Sequence, residues 1–166
     1  MMGTVSAATM TSQLYDYQDI AGAAVEASRE RFGADIRVHT PWQVDPVKEV
    51  VQLSQLRPNW DGYGTGPVDV RTATAAIRLI QRIASLGFDD LPAPAVAPTA
   101  GAEGEAPAGI QLSWSIGARR LVFSLFPEGT VDYLKCEAGE PFEEGAIALS
   151  MPGKLRELIG WVSARA

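Results

Sequence analysis

Gly109-Ile110-Gln111-Leu112-Ser113-Trp114-Ser115-Ile116 is the stretch that decides the fold. Ile110, Leu112, Trp114 and Ile116 alternate with Gln111, Ser113 and Ser115. A period of two sends the apolar set to one side of a half-buried antiparallel strand. Gly117-Ala118 then reads as a tight turn, and Arg120–Phe126 as a second strand with Leu121, Phe123 and Leu125 on one face. Pro127-Glu128-Gly129 is a second turn, followed by a third strand over Thr130–Cys136. Glu137–Glu144 reads as an acidic loop, and Ala146–Leu149 as a possible fourth strand.

Upstream of this meander the period lengthens. Ala73, Ala76, Ile77, Ile80, Ile83 and Ala84 share one face of a helix over 69–86, which Gly87 closes. A shorter helix is expected from Asp45 as N-cap and Pro46 as first helical residue, ending at Arg57-Pro58. An alanine-faced helix over 19–32 opens at Asp19 and stops at Gly33. Residues 1–18 are small and polar and read as a loose arm. Between the main helix and the meander, residues 91–109 are rich in alanine, proline and glycine, with an edge strand near Ala95–Ala97 and a flexible tip at Gly101–Pro107. Downstream, Ser150-Met151-Pro152 opens a helix carrying Leu155, Leu158, Ile159 and Val162. Helices first and strands later imply one α+β domain over 19–166, a three- to four-stranded antiparallel meander packed against helices on one face.

Composition narrows the function classes. The chain has 166 residues, 46% of them hydrophobic, with one cysteine and one histidine. A core is affordable, wholesale disorder is excluded, and no apolar run is long enough for a membrane span. No lysine or arginine precedes Arg29, so no secretory signal is expected and a cytoplasmic setting is the default. Of the net charge of −6, residues 89–144 alone carry −7, from ten acids against three bases. That block disfavours direct nucleic-acid binding and suits either a solvated surface or a basic protein partner.

Between the two well-marked helices lies Asn59-Trp60-Asp61-Gly62-Tyr63-Gly64-Thr65-Gly66-Pro67. Its alternating glycines mark a tight, specially shaped turn. Gly62, Gly64 and Gly66 ahead of a helix suggest a phosphate loop, but a helix precedes them and no Gly-Lys-Ser/Thr follows. Trp60 either fills the gap between helices and sheet, with Asp61 accepting backbone N–H bonds, or forms a stacking wall with Tyr63 and leaves Asp61 as a base. His39 lacks a second histidine or a neighbouring cysteine for zinc, and no G-x-S-x-G elbow accompanies it. Cys136 lies between Lys135 and Glu137, which oppose one another in setting its reactivity.

The N-W-D-G-Y-G loop at 59–64, Pro67, the helix with Ala73 and Ala76, the prolines at 92–98 and the G-I-Q-L-x-W strand at 109–114 together resemble a group of small bacterial proteins. The resemblance covers roughly residues 46–135. The group has no established activity, so it implies a bacterial or mobile-element origin and nothing about mechanism.

The expected function is binding without catalysis: a small acidic protein docking on a macromolecular partner, of accessory, inhibitor or immunity type. Candidate contacts are Trp60, Asp61, Tyr63, Arg119, Arg120, Glu143 and Glu144. No catalytic residue, cofactor or metal is assigned. Two alternatives stay open: a small enzyme or ligand-binding domain on the Gly62–Gly66 loop with Asp61 and His39 as acid and base, and a self-assembling structural protein joined through a sheet edge.

Overall fold

In the computed structural model, residues 41–99 and 109–164 are described. The proposed arm at 1–18, the helix at 19–32, His39 and the tip at Gly101–Pro107 lie outside them. The alternation at 109–116 becomes strand β2 (Gly109–Ile116), preceded by β1 (Ala95–Thr99) and followed by β3 (Arg119–Leu125), β4 (Val131–Glu137) and β5 (Glu140–Ile147). Every pairing is antiparallel and the order in space is the order in the chain, β1-β2-β3-β4-β5. The meander therefore has five strands, not three or four.

The strand expected at Ala146–Leu149 instead begins at Glu140 and ends at Ile147, so β5 takes up most of the acidic loop expected at 137–144. Ala138 and Gly139 both take positive φ, 52° and 90°, which closes a two-residue hairpin between β4 and β5. The Ala138 N–H donates to the Ala118 carbonyl at 2.8 Å and ties this turn to the preceding one. The register shifts between Lys135 and Cys136. That bulge lets β5 bring both Phe142 and Glu143 against Lys135.

Three helices flank the described sheet: α1 (Val44–Leu53), α2 (Val70–Ala84) and α3 (Pro152–Ser163). No helix among the described residues is long and apolar enough to cross a membrane. Asp45 does not cap α1. A 3₁₀ turn at Pro41–Gln43 runs straight into the helix, so Gln43 keeps helical angles and no extended residue is left to cap it. Asp45 instead sits in the first turn, where a negative charge suits the helix end. Pro46 is tolerated there because the first amides of a helix have no intrahelical acceptor. Helix α2 starts as its sequence implies, with the Asp69 carboxylate accepting from the Arg71 amide at 2.7 Å.

The apolar face of α2 meets the inward faces of β2 and β3, and α3 adds Leu155, Leu158, Ile159 and Val162 to the same core. Across the sheet Leu112 opposes Phe123, and Phe123 opposes Tyr133. Each such side chain fully buried is worth about 1.5–3 kcal/mol over exposure. The other sheet face is more polar, with Gln111, Ser113, Ser124 and Asp132 around Val122 and Leu134.

Gly109 shows how tightly β2 is set. A Cβ there would lie 2.6 Å from the Leu125 carbonyl oxygen and 2.8 Å from Thr99 Cγ2. Backbone cannot swing away, so Gly109→Ala should destabilise the fold by about 1–3 kcal/mol in urea unfolding. An unchanged midpoint would contradict this packing.

Candidate functional site

The segment after α1 folds on itself. Asn59 takes a left-handed φ of 62°, and Gly62 and Gly64 follow with φ of 79° and 89°. Asn59 is used three times: its N–H donates to the Thr65 carbonyl at 2.8 Å, its carbonyl accepts from Gly62 at 3.1 Å, and its side-chain oxygen accepts from Gly64 at 2.7 Å. Inside this ring the Asp61 carboxylate accepts from the Tyr63 amide at 2.9 Å, the Thr65 amide at 3.4 Å and the Thr65 hydroxyl. Thr65 is buried, whereas Tyr63 stands 88% exposed at the apex. Two asparagine-type turn residues and two glycines thus hold one aromatic ring in water.

This bonding decides what the loop can do chemically. The amides of Gly62, Tyr63, Gly64 and Thr65 all point to the loop's own acceptors. A carboxylate already occupies the place an anion would take, which argues against phosphate binding. The Thr65 hydroxyl, and next the Tyr63 amide, hold the Asp61 carboxyl below its ordinary value of 3.8. A carboxylate so stabilised is a poor proton acceptor. Its evident task is to lock the turn. Trp60 is half-buried, with its indole N–H buried and unpartnered. Trp114, with Trp42 edge-on to it, fills the space between helices and sheet that Trp60 was read as filling.

The remaining candidates lie elsewhere. Arg119 and Arg120 begin β3, and Glu143 and Glu144 lie in β5. Neighbours along a strand face opposite ways, so each pair is split between the two sheet faces. Arg119 is engaged inside the fold. It pairs with Glu137 at 3.1 Å, donates to the Trp161 and Ala164 carbonyls at 2.9 and 3.2 Å, and lies over the Trp161 ring. It thereby closes the C-terminus of α3, a favourable place for a cation. Glu143 is engaged too: it accepts from Lys135 at 2.6 Å and from the Tyr133 hydroxyl at 3.0 Å, with Lys154 at 3.5 Å. Arg120 and Glu144 remain exposed.

Comparison with family models, with curated proteins and with solved structures finds no match to this chain. Its reading rests on its own geometry.

Sequence reasoning overlooked Lys135. The buried Lys135 places its ammonium over both the Phe142 and Trp161 rings, 4.9 and 4.6 Å from their centroids, with the Glu143 carboxylate 2.6 Å away. The signal was available, since Val131, Tyr133 and Lys135 occupy successive inward positions of one strand. Among the described residues no group of three or more His, Cys, Asp or Glu is placed to hold a metal ion.

These charges set a pH window. Hydrogen bonds from Lys135 and then Tyr133 lower the Glu143 carboxyl from 4.5, as Thr65 and Tyr63 lower Asp61 from 3.8. A lowered carboxylate stabilises the fold above its unfolded value, and that stability is lost as pH falls through the folded value. Burial and then Glu143 raise Tyr133 above 10.0, and Glu157 above all raises Lys154 above 10.5. Their contribution is present below those values and lost at higher pH. Chemical denaturation should therefore give a plateau between about pH 5 and pH 10, falling on both sides. A steady rise from pH 5 to 3 would contradict the acid limb.

Proposed function

We propose that this chain is a binding protein without catalytic chemistry of its own, which docks on a macromolecular partner through the turn that presents Tyr63. The observation that carries the reading is the contrast within that turn: a closed set of hydrogen bonds around an aromatic side chain left in solvent. Large aromatic rings dominate binding energy at protein interfaces, and one carried on an already ordered backbone binds without the cost of ordering that backbone. The exposed acids Asp89, Asp90, Glu128, Asp132, Glu140 and Glu144 favour a basic partner surface and disfavour nucleic acid. The enzyme alternative is weakened by the full engagement of Asp61.

The test places the photoreactive residue p-benzoylphenylalanine at position 63 in the host cell and, for comparison, at the exposed Phe142. A discrete macromolecular adduct specific to position 63 supports the reading. Equal labelling at both positions, or none, overturns docking through Tyr63. With the partner in hand, Tyr63→Ala should weaken binding by roughly 2 kcal/mol, about thirtyfold, without altering the fold.

A further inference from the structure

Helix α2 hands over to β1 through a second rigid turn. In Phe88-Asp89-Asp90-Leu91 the Leu91 N–H donates to the Phe88 carbonyl at 3.2 Å. Both corners are anchored, Leu91 in the core and Phe88 against the core with its ring near Gly160 of α3. The next residue is fixed as well, because the Trp114 indole N–H donates to the Pro92 carbonyl at 2.9 Å. The two central residues, Asp89 and Asp90, stay exposed. Beside this turn, between it and the β2–β3 hairpin, opens a groove of about 740 Å³. Phe88, Leu91 and Ile116 supply its apolar surface, and Asp89 and Asp90 its charge. Among the described residues no lysine or arginine lines it. Helix α2 ends at Ala84, three residues before Gly87, the first residue of the groove lining.

We propose that this groove receives a basic segment of the protein partner, an apolar side chain seated on Phe88, Leu91 and Ile116 and a flanking lysine or arginine on Asp89 and Asp90. Charge complementarity selects the occupant. Two carboxylates at the mouth repel phosphate and acidic peptides, while the apolar floor gives a bulky side chain somewhere to leave water. Because the turn is already fixed by Leu91, Phe88 and Trp114, binding orders little on this side. The inference rests on the binding reading above and gives it a second contact, separate from Tyr63.

The experiment titrates the full, isotope-labelled chain with acetyl-Lys-Leu-Lys-Trp-Arg-Leu-amide and follows backbone amide shifts at low salt. Saturable shifts concentrated at 87–92 and 115–117 are expected. The doubly substituted Asp89→Asn, Asp90→Asn chain should bind about five- to tenfold more weakly. A peptide with glutamate at the three basic positions should cause no shifts there. Shifts spread evenly over the acidic surface, equal affinity of the doubly substituted chain, or equal shifts from spermine, which lacks an apolar side chain, would each overturn the groove. The outcomes separate the two proposals. A partner cross-linked at position 63 with no peptide in the groove sinks only the groove, whereas a filled groove with no adduct at 63 sinks only the Tyr63 contact.

Discussion

Trp114→Ala should lower the stability of this domain by about 3–5 kcal/mol, the largest loss expected from a single substitution here. Trp114 is 1% exposed. Its ring meets Phe123 edge-on at 6.0 Å and Trp42 edge-on at 6.5 Å, and its N–H holds the Pro92 carbonyl. One side chain thus joins the entry to α1, the centre of the sheet and the turn that leads to β1. Truncation opens a cavity bordered by three elements, and none of them can collapse without disturbing the others. Trp114→Phe keeps most of the ring contact but loses the bond to the Pro92 carbonyl and part of the ring volume, so about 1–2 kcal/mol is expected. Thermal unfolding followed by circular dichroism measures both, with a fall on the order of 10 °C for the alanine variant. A loss below about 1 kcal/mol for Trp114→Ala would show that the two flanking rings close the gap unaided.

The second large effect is an inequality. Glu143→Ala should cost about 2–3 kcal/mol, whereas Lys135→Met should stay within about 1 kcal/mol of the parent. Removing the carboxylate takes the paired anion off the ammonium of Lys135, a residue 6% exposed, and leaves it the Phe142 and Trp161 rings. Removing the ammonium leaves Glu143 with a third of its side chain in water and with Tyr133 and Lys154 still beside it. Methionine keeps the length and packing of the lysine stem. Urea unfolding of the two variants decides the point. If Lys135→Met proves the costlier change, the ring contacts contribute more than the desolvated charge takes away.

That same network explains what could not be read from the chain. The alternation in β2, β3 and β4 was plain because apolar residues hold every inward position but those of Arg119, Lys135 and Glu137. The first part of β5 was hidden because Glu140, Pro141, Glu143, Glu144 and Gly145 carry the composition of a loop, and only its end overlaps the strand expected at Ala146–Leu149. Its inward positions are filled by partners distant in sequence: Lys135 takes Glu143, and the Tyr133 ring lies so close to Gly145 that a Cβ would meet it at 2.9 Å. Only tertiary contact makes that sequence a strand. The glycine turn was legible for the opposite reason, since its bonds run between residues at most six apart. Even the exposure of Tyr63 follows once Asn59, Asp61 and Thr65 are seen to satisfy one another. The α1 start was misplaced because a helical turn before it left no room for the cap that Asp45 seemed made for.

The strand order in space repeats the order along the chain, and this bears on time as well as shape. Two residues join β2 to β3, five join β3 to β4 and two join β4 to β5. Those three pairings can form from neighbouring chain without any long segment first finding its partner, so little loop-closure entropy opposes them. Hairpins of this kind close in microseconds. The slower event is the arrival of α1 and α2 from one side in sequence and α3 from the other, because the sheet's apolar face is sealed only when they meet across it. A sheet whose helices had not yet docked would leave Leu112, Phe123 and their neighbours open to water, so docking of the helices, more than pairing of the strands, is the step that guards the nascent domain against aggregation.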